Sequence, residues 1–386
     1  MEAAGDSLTV TPRAGAERLE RVRAALDEAG LDALLVSAPG EENLGRASRY
    51  YFAAFTGSTG LVLILPERAI FAADFRYIEQ AERECGPRGF EVFPALGAGR
   101  EWFPKLVVEA GLSGKKVGLS KSDLTFGGYL RLQKLIGVLP EGDRPAFEPA
   151  PRIIETLRRR KDAEELALVQ RAIDISDAAC DSVVVGLAPE QTEQDVADAF
   201  RQAVKAAGGE DVSFDTIVAA GPWGAMPHAH PRNERLGAGK PIVIDMGARY
   251  GGYCSDLTRT VTIGAPGAKF REIYDIVFHA QQAAIAGIET GMSGRQAHDI
   301  AHDVIDAAGY GDRFGHGLGH GIGLDVHEAP HVGRTSDDVL EEGMVFTIEP
   351  GIYIPGWGGV RIEDIVVLEN GKPRVLSHAA KRSPGS

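Results

Sequence analysis

Apolar residues recur at steps of three and four between Ala16 and Gly30, where Leu19, Val22 and Leu26 fall on one side. That spacing predicts a helix, with Gly30 as its stop. The first fifteen residues lack the period and read as a loose tail. Short apolar runs follow: LDALLVS (31–37), LVLIL (61–65), AIFAAD (69–74), EVFP (91–94) and KVGLS (116–120). Their length and flanking turn residues predict buried strands, the second and third paired around Pro66-Glu67. Strands alternating with helical patterns predict an α/β domain over residues 1–145. The segment LPEGDRPAFEPAP (139–151) holds four prolines and reads as an interdomain linker.

The remaining residues, 152–386, have a different pattern. Leu166, Val169, Ile173, Ser176, Cys180 and Val183 step by three and four, one face of a long helix. Four basic residues, Arg158 to Lys161, precede it; a solvated helix face explains them better than a binding patch. Further helices fit Thr192 to Ala207, 269–290 and 294–308. Two segments, 241–264 and 344–371, each read as strand, glycine-bearing turn and returning strand, a hairpin signature. The predicted class is α+β: antiparallel hairpins backed by helices, preceded by the α/β domain.

Composition narrows the partners. Lys plus Arg is 41 against 55 Asp plus Glu, a formal charge of −14. That sign disfavours nucleic acid and anionic membrane. The three cysteines are scattered, without a CxxC spacing, which argues against a disulfide framework or a thiolate zinc site. The N-terminus shows no basic and apolar leader pattern, and LVLIL is far too short to span a bilayer. A cytoplasmic location is the expectation.

The hairpins carry acids inside apolar runs. Asp245 and Asp256 are eleven residues apart, centred on Tyr250-Gly251. Glu349 and Glu363 are fourteen apart, centred on Gly356. Residues equidistant from a turn face each other across the ladder, so each hairpin is expected to set two carboxylates side by side. Like charges so placed repel, and a buried carboxylate is costly without compensation. Exposure or pairing with Lys and Arg would relieve one such acid. Two symmetric pairs flanked by IVI, TRTV, VFTI and IVVL ask for more, and Arg361, beside Glu363, is one charge against four. Two divalent cations would balance the four, roughly 3.5–4 Å apart. Oxygen-rich ligation suits Mn²⁺, Fe²⁺ or Co²⁺, with Zn²⁺ a further candidate.

Histidines supply the remaining donors. RFGHGLGHGIGLDVHEAPH (313–331) contains His316, His320, His327 and His331 among glycines, and GPWGAMPHAHP (221–231) contains His228 and His230. HEAPH matches a zinc-protease pattern, but that pattern works only on a helix and Pro330 opposes one. No Ser-His-Asp arrangement, phosphate loop or dinucleotide fingerprint is visible. Metal-assisted hydrolysis remains.

In order along the chain, PHAHP, IVIDMG, YCSDLTRT, GHGIGLDVHEAP, GMVFTIEPGIY and GVRIEDIVV resemble the blocks of the pita-bread metallopeptidases. These include methionine aminopeptidases, aminopeptidase P and prolidase. The resemblance implies a pita-bread fold with pseudo-twofold hairpins over 152–386, and five metal ligands: Asp245, Asp256, His320, Glu349 and Glu363. Asp256 and Glu363 would bridge two ions, Mn²⁺ foremost. It implies substrate-facing roles for His228 and His327, and His316 matches a further histidine of the Xaa-Pro members. Arg361 two residues before the last ligand, the N-terminal domain and the 158–172 junction point to the Xaa-Pro branch. Creatinase lacks the ligands that are intact here.

The expected activity is removal of an N-terminal residue before proline from short peptides, as an Xaa-Pro aminopeptidase. The alternatives are an Xaa-Pro dipeptidase (prolidase) and a noncatalytic peptide-binding relative. By family pattern, Glu349 accepts a proton from water and His327 donates a hydrogen bond to the tetrahedral intermediate. His228 contacts the scissile amide, and Arg361 holds the carboxylates or a peptide carbonyl. A homodimer is expected from the same resemblance.

Overall fold

The first helix begins earlier than its periodicity suggests. In the computed structural model, which describes residues 11–381, it spans Pro12–Glu28. The Thr11 hydroxyl caps it by accepting the Ala14 N–H. Thr-Pro is a helix-start signal that needs no apolar period, so residues 12–15 leave the expected tail; residues 1–10 lie outside the described ones. Leu19, Val22 and Leu26 are buried as expected. Gly30 follows with φ of 65°, a left-handed turn that costs glycine little.

The chain divides into two compact units, with the boundary between Arg158 and Arg159. In the first, six strands form one mixed sheet. Their order is Glu91–Pro94, Ala69–Ala73, Leu61–Ile64, Ala33–Val36, Lys116–Leu119 and Ala146–Pro149. Leu61–Ile64 pairs antiparallel with Ala69–Ala73, as the turn at Pro66-Glu67 requires. Helices Gly99–Glu109 and Phe126–Ile136 supply Trp102, Phe103, Leu106, Leu132 and Ile136 to its core. The proline-dense segment 139–151 is not simply a linker. Its Ala146–Pro149 stretch is the sheet's edge strand, parallel to Lys116–Leu119 and anchored by buried Phe147. An edge strand tolerates proline because its outer N–H needs no ladder partner.

The second unit is built from two similar halves. One packs helices Ala163–Val185 and Glu193–Ala206 on the hairpin strands Ile242–Met246 and Leu257–Val261; Ile175, Cys180, Phe200, Ile244 and Leu257 share its core. The other packs helices Ala268–Gly287 and Gly294–Ala307 on strands Val345–Ile348 and Asp364–Glu369, around Val277, Ile305, Phe346 and Val366. Asp162, Thr192 and Ser293 each close a capping box at a helix start. Cys85, Cys180 and Cys254 are buried free thiols. Among the described residues, no helix is long and apolar enough to cross a membrane.

Both hairpins are interrupted midway. The first continues as Ala248–Tyr250 with Tyr253–Cys254, the second as Gly351–Ile354 with Gly358–Arg361. Glu349 and Glu363 fall together in the second gap and share one register line, since Ile348 pairs with Asp364 and Gly351 with Arg361. The first pair departs from the expected register. Asp245 pairs with Thr258, two residues beyond Asp256. The two aspartates are therefore diagonal neighbours rather than opposed. An offset of two keeps them on one face, because side chains alternate with period two.

The basic run before the long helix also differs from its solvated reading. Arg158 is buried, and the Lys161 side chain is 1% exposed, its Nζ 3.2 Å from Glu328 Oε2. Arg160 pairs with Glu341 at 2.7 Å. A basic run looks solvated in sequence because its acidic partners lie more than 160 residues away. Replacing Lys161 by Met leaves Glu328 buried without its cation. Stability should fall by about 3–5 kcal/mol. Urea denaturation reads this directly, and an unshifted midpoint would mean that water already screens the pair.

Candidate metal centre

The strand that brings in the histidine is short and squeezed. Gly319–Gly321 lies between Glu328–Val332 and Val345–Ile348. A Cβ at Gly319 would stand 1.9 Å from the Thr347 carbonyl oxygen, and one at Gly321 2.1 Å from that of Ala329. Only glycine on both sides of His320 permits this approach. The imidazole Nε2 then lies 3.3 Å from Glu349 Oε1 and 3.7 Å from Asp256 Oδ2. Donor atoms of Asp256, His320 and Glu363 all fall within 4.8 Å of one another, a grouping able to hold a cation.

Asp245 reaches the same place from the end of its strand. Its Oδ2 accepts a hydrogen bond from Arg361 Nη2 at 2.6 Å. Arg361 is buried, and each of its three side-chain nitrogens has a partner. Its Nε donates to Thr258 Oγ1 at 2.9 Å and its Nη1 to the Tyr353 hydroxyl at 2.8 Å. The Thr258 hydroxyl in turn donates to Glu363 Oε2 at 2.6 Å. His316 Nδ1 donates to the Gly317 carbonyl at 2.7 Å, so its Nε2 accepts from the Tyr353 hydroxyl at 2.9 Å. Burial lowers the His316 pKa, which agrees with that neutral form.

Electrostatics divides the carboxylates. Burial, then repulsion from the neighbouring acids, holds Asp256 and Glu363 well above the usual carboxylate range. Burial also works upward on Glu349, but its hydrogen bond to His320 and the charges of His320, His316 and Arg361 hold it at about 2. Arg361 alone does not neutralise four acids. Moreover, Asp245 Oδ1 and Asp256 Oδ1 are buried with no hydrogen-bond partner among the described residues. Buried polar atoms are seldom left so. Oxygen-rich donors with orphaned lone pairs fit hard or borderline divalent cations.

These groups line one cavity of about 570 Å³, with Phe214, Ile217 and Val326 as apolar wall. His228, His316 and His327 line it too, so all nine residues singled out from the sequence as site residues border the same space, and His230 and His331 border it as well. The His327 ring centroid is 4.3 Å from that of His320. Burial and the neighbouring His320 both lower the His327 pKa. HEAPH is not helical: Glu328–Val332 is a strand, and the backbone of His331 pairs with that of His320. The zinc-protease alternative therefore fails, because the i, i+4 face it needs does not form. Two participants were missed from sequence, Thr258 and Tyr353. Parity could have found both: Thr258 opposes Asp245, and Tyr353 lies two residues along the strand from Gly351, the partner of Arg361.

The model for metallopeptidase family M24 matches residues 167–370, and that for the creatinase/prolidase N-terminal domain matches residues 18–160. The Xaa-Pro dipeptidase of Pyrococcus furiosus is 34% identical over 93% of this chain and 97% of its own length. The solved Xaa-Pro dipeptidase from Bacillus anthracis is 39% identical, with TM-score 0.87 over 96% of this chain and 99% of its own. The X-Pro aminopeptidase from Thermotoga maritima is 34% identical, with TM-score 0.86 over 95% and 99%. The chain belongs to the M24 metallopeptidases of the pita-bread fold, with a creatinase-type N-terminal domain.

Thr258→Val keeps the side-chain shape but strips a hydrogen bond from both Arg361 and Glu363. It should cost about 1–3 kcal/mol of stability, as expected for buried groups left unsatisfied, whereas Thr258→Ser should recover most of it. Equal melting curves for Val and Ser variants would contradict the bridging role.

Proposed function

We propose that the protein hydrolyses the bond between a first residue and a following proline, with Xaa-Pro dipeptides as its substrates. Two divalent ions, Mn²⁺ foremost, would be held by Asp245, Asp256, His320, Glu349 and Glu363. The supporting observation is the pair of orphaned, buried oxygens on Asp245 and Asp256, on residues that share a cavity wall with Glu349, Glu363 and His320. The sequence by itself points to an aminopeptidase. The Pyrococcus furiosus and Bacillus anthracis relatives, both named Xaa-Pro dipeptidases, tilt the choice to the dipeptidase.

Such ions, when bound, supply Lewis-acid polarisation of a carbonyl and an acidified water. The chain's own groups do the rest. Glu349, ionised and oriented by Thr347 Oγ1 at 3.2 Å, accepts a proton from the attacking water. The proline nitrogen carries no N–H in the peptide and must gain a proton to leave; Glu349 returns it. His327 donates a hydrogen bond to the developing oxyanion. His228, exposed on the cavity wall, contacts the scissile amide, and His316 borders the substrate space. Arg361 holds Asp245 in place and offsets part of the negative charge.

Ala-Pro, Ala-Pro-Pro and Met-Ala-Ser, compared under added Mn²⁺, separate the activities. Ala-Pro should be cleaved best, EDTA should abolish turnover, and Mn²⁺ or Co²⁺ should restore it. Asp256→Ala should eliminate hydrolysis and bound metal while retaining the fold. A fully active Asp256→Ala enzyme would refute the ligand assignment, and preference for Ala-Pro-Pro would return the aminopeptidase. Metal uptake should also release protons. Asp256 and Glu363 retain protons to higher pH than ordinary carboxyls, and a cation must displace them. Affinity therefore climbs with pH until both are ionised. Calorimetry in two buffers of different ionisation enthalpy measures the release, and identical heats in both would oppose it.

A further inference from the structure

Among the described residues, five carboxylates line the catalytic cavity: Asp215, Asp245, Asp256, Glu349 and Glu363. The last four are within the centre and are tied to Arg361, His320 or Thr258. Asp215 stands apart. It is exposed, and it has no hydrogen bond or ion pair among the described residues. Arg361 cannot answer it, being committed to Asp245, Thr258 and Tyr353. Among the described residues no lysine lines the cavity. Arg201 shares a neighbouring cavity of about 280 Å³ with Asp215 and Asp198, but its guanidinium is paired with both oxygens of Asp211, at 2.7 and 3.2 Å. The charge of Arg201 acts on Asp215, but among the described residues no cation is hydrogen-bonded or ion-paired to it, and its carboxylate faces substrate space.

Its position is informative. Ile217 pairs with Asp245 in the ladder. Asp215 precedes Ile217 by two residues, just before the strand begins, and both border the cavity. Two residues of chain reach at most about 7 Å, so the Asp215 backbone lies within that distance of the ladder pair that holds Asp245. That span is comparable with the extended four-carbon stem of a lysine. Phe214, Ile217 and Val326 offer apolar surface against which such a stem packs while its charged end reaches an acid.

We infer that Asp215 receives the cationic side chain of the substrate's first residue, so that Lys-Pro and Arg-Pro are preferred to uncharged peptides of equal length. This rests on the Xaa-Pro activity proposed above. Every substrate also carries an α-ammonium, but a contact to that group would affect all peptides alike.

The test compares kcat/KM for Lys-Pro, norleucyl-Pro and Glu-Pro in the wild type, Asp215→Asn and Asp215→Lys. An exposed position keeps both variants foldable. The Lys-Pro to norleucyl-Pro ratio should fall about fivefold in Asp215→Asn, the upper range for a solvent-accessible ion pair. Asp215→Lys should raise Glu-Pro relative to norleucyl-Pro, and added salt should shrink the wild-type ratio. Ratios unchanged in both variants, or an equal loss on all three peptides, would overturn the inference while leaving the activity intact. A wild type inert toward all three would instead overturn the Xaa-Pro function, and this with it.

Discussion

Four carboxylates crowded into one buried place are the constraint around which the second unit is organised. Their mutual repulsion opposes folding, and the chain meets it with a limited set of devices. Arg361 supplies one fixed positive charge to Asp245. Thr258 offers its proton to Glu363 while accepting from Arg361. His320 lies against Glu349 and Asp256. These contacts leave Asp256 and Glu363 strained toward protonation and two oxygens without partners. The unmet charge and the unpartnered oxygens suit a divalent cation.

The two-half architecture explains how such crowding is tolerated. Each interrupted hairpin is backed by its own helix pair and its own apolar core. The acids sit at or beside the interruptions, where the ladder no longer dictates what faces them. In the first hairpin the register sets Thr258, not Asp256, across from Asp245, so those like charges are not directly opposed. Rigid cores behind flexible demands of charge are the usual way functional sites are held in place.

The buried ion pair Lys161–Glu328 extends the same logic. Glu328 directly follows His327 in the chain, and its other oxygen accepts the Asp325 N–H at 2.9 Å. The loop that presents His327 to the cavity is therefore fixed from behind by charge as well as by packing. The cavity's apolar wall and its ring of histidines suit a small peptide that needs burial on one side and proton transfer on the other.

Much of this was legible in the linear chain. Helix periods, apolar strand runs, the order of motif blocks and the positions of five candidate ligands are local properties, and each can be read because period and composition act over a few residues. Glu349 and Glu363 were correctly set on one register line from their midpoint at Gly356, because loop symmetry there is intact. Asp245 and Asp256 differ from the expected pairing by two residues of register, since the centre of the turn lies a residue further along than their midpoint. The strand inside the proline-rich 139–151 segment, the burial of Lys161, and the Arg361–Tyr353–His316 chain of hydrogen bonds belong to tertiary structure alone. Each depends on a partner from a distant part of the chain or from across an interrupted ladder, and no local pattern of side chains encodes which one arrives.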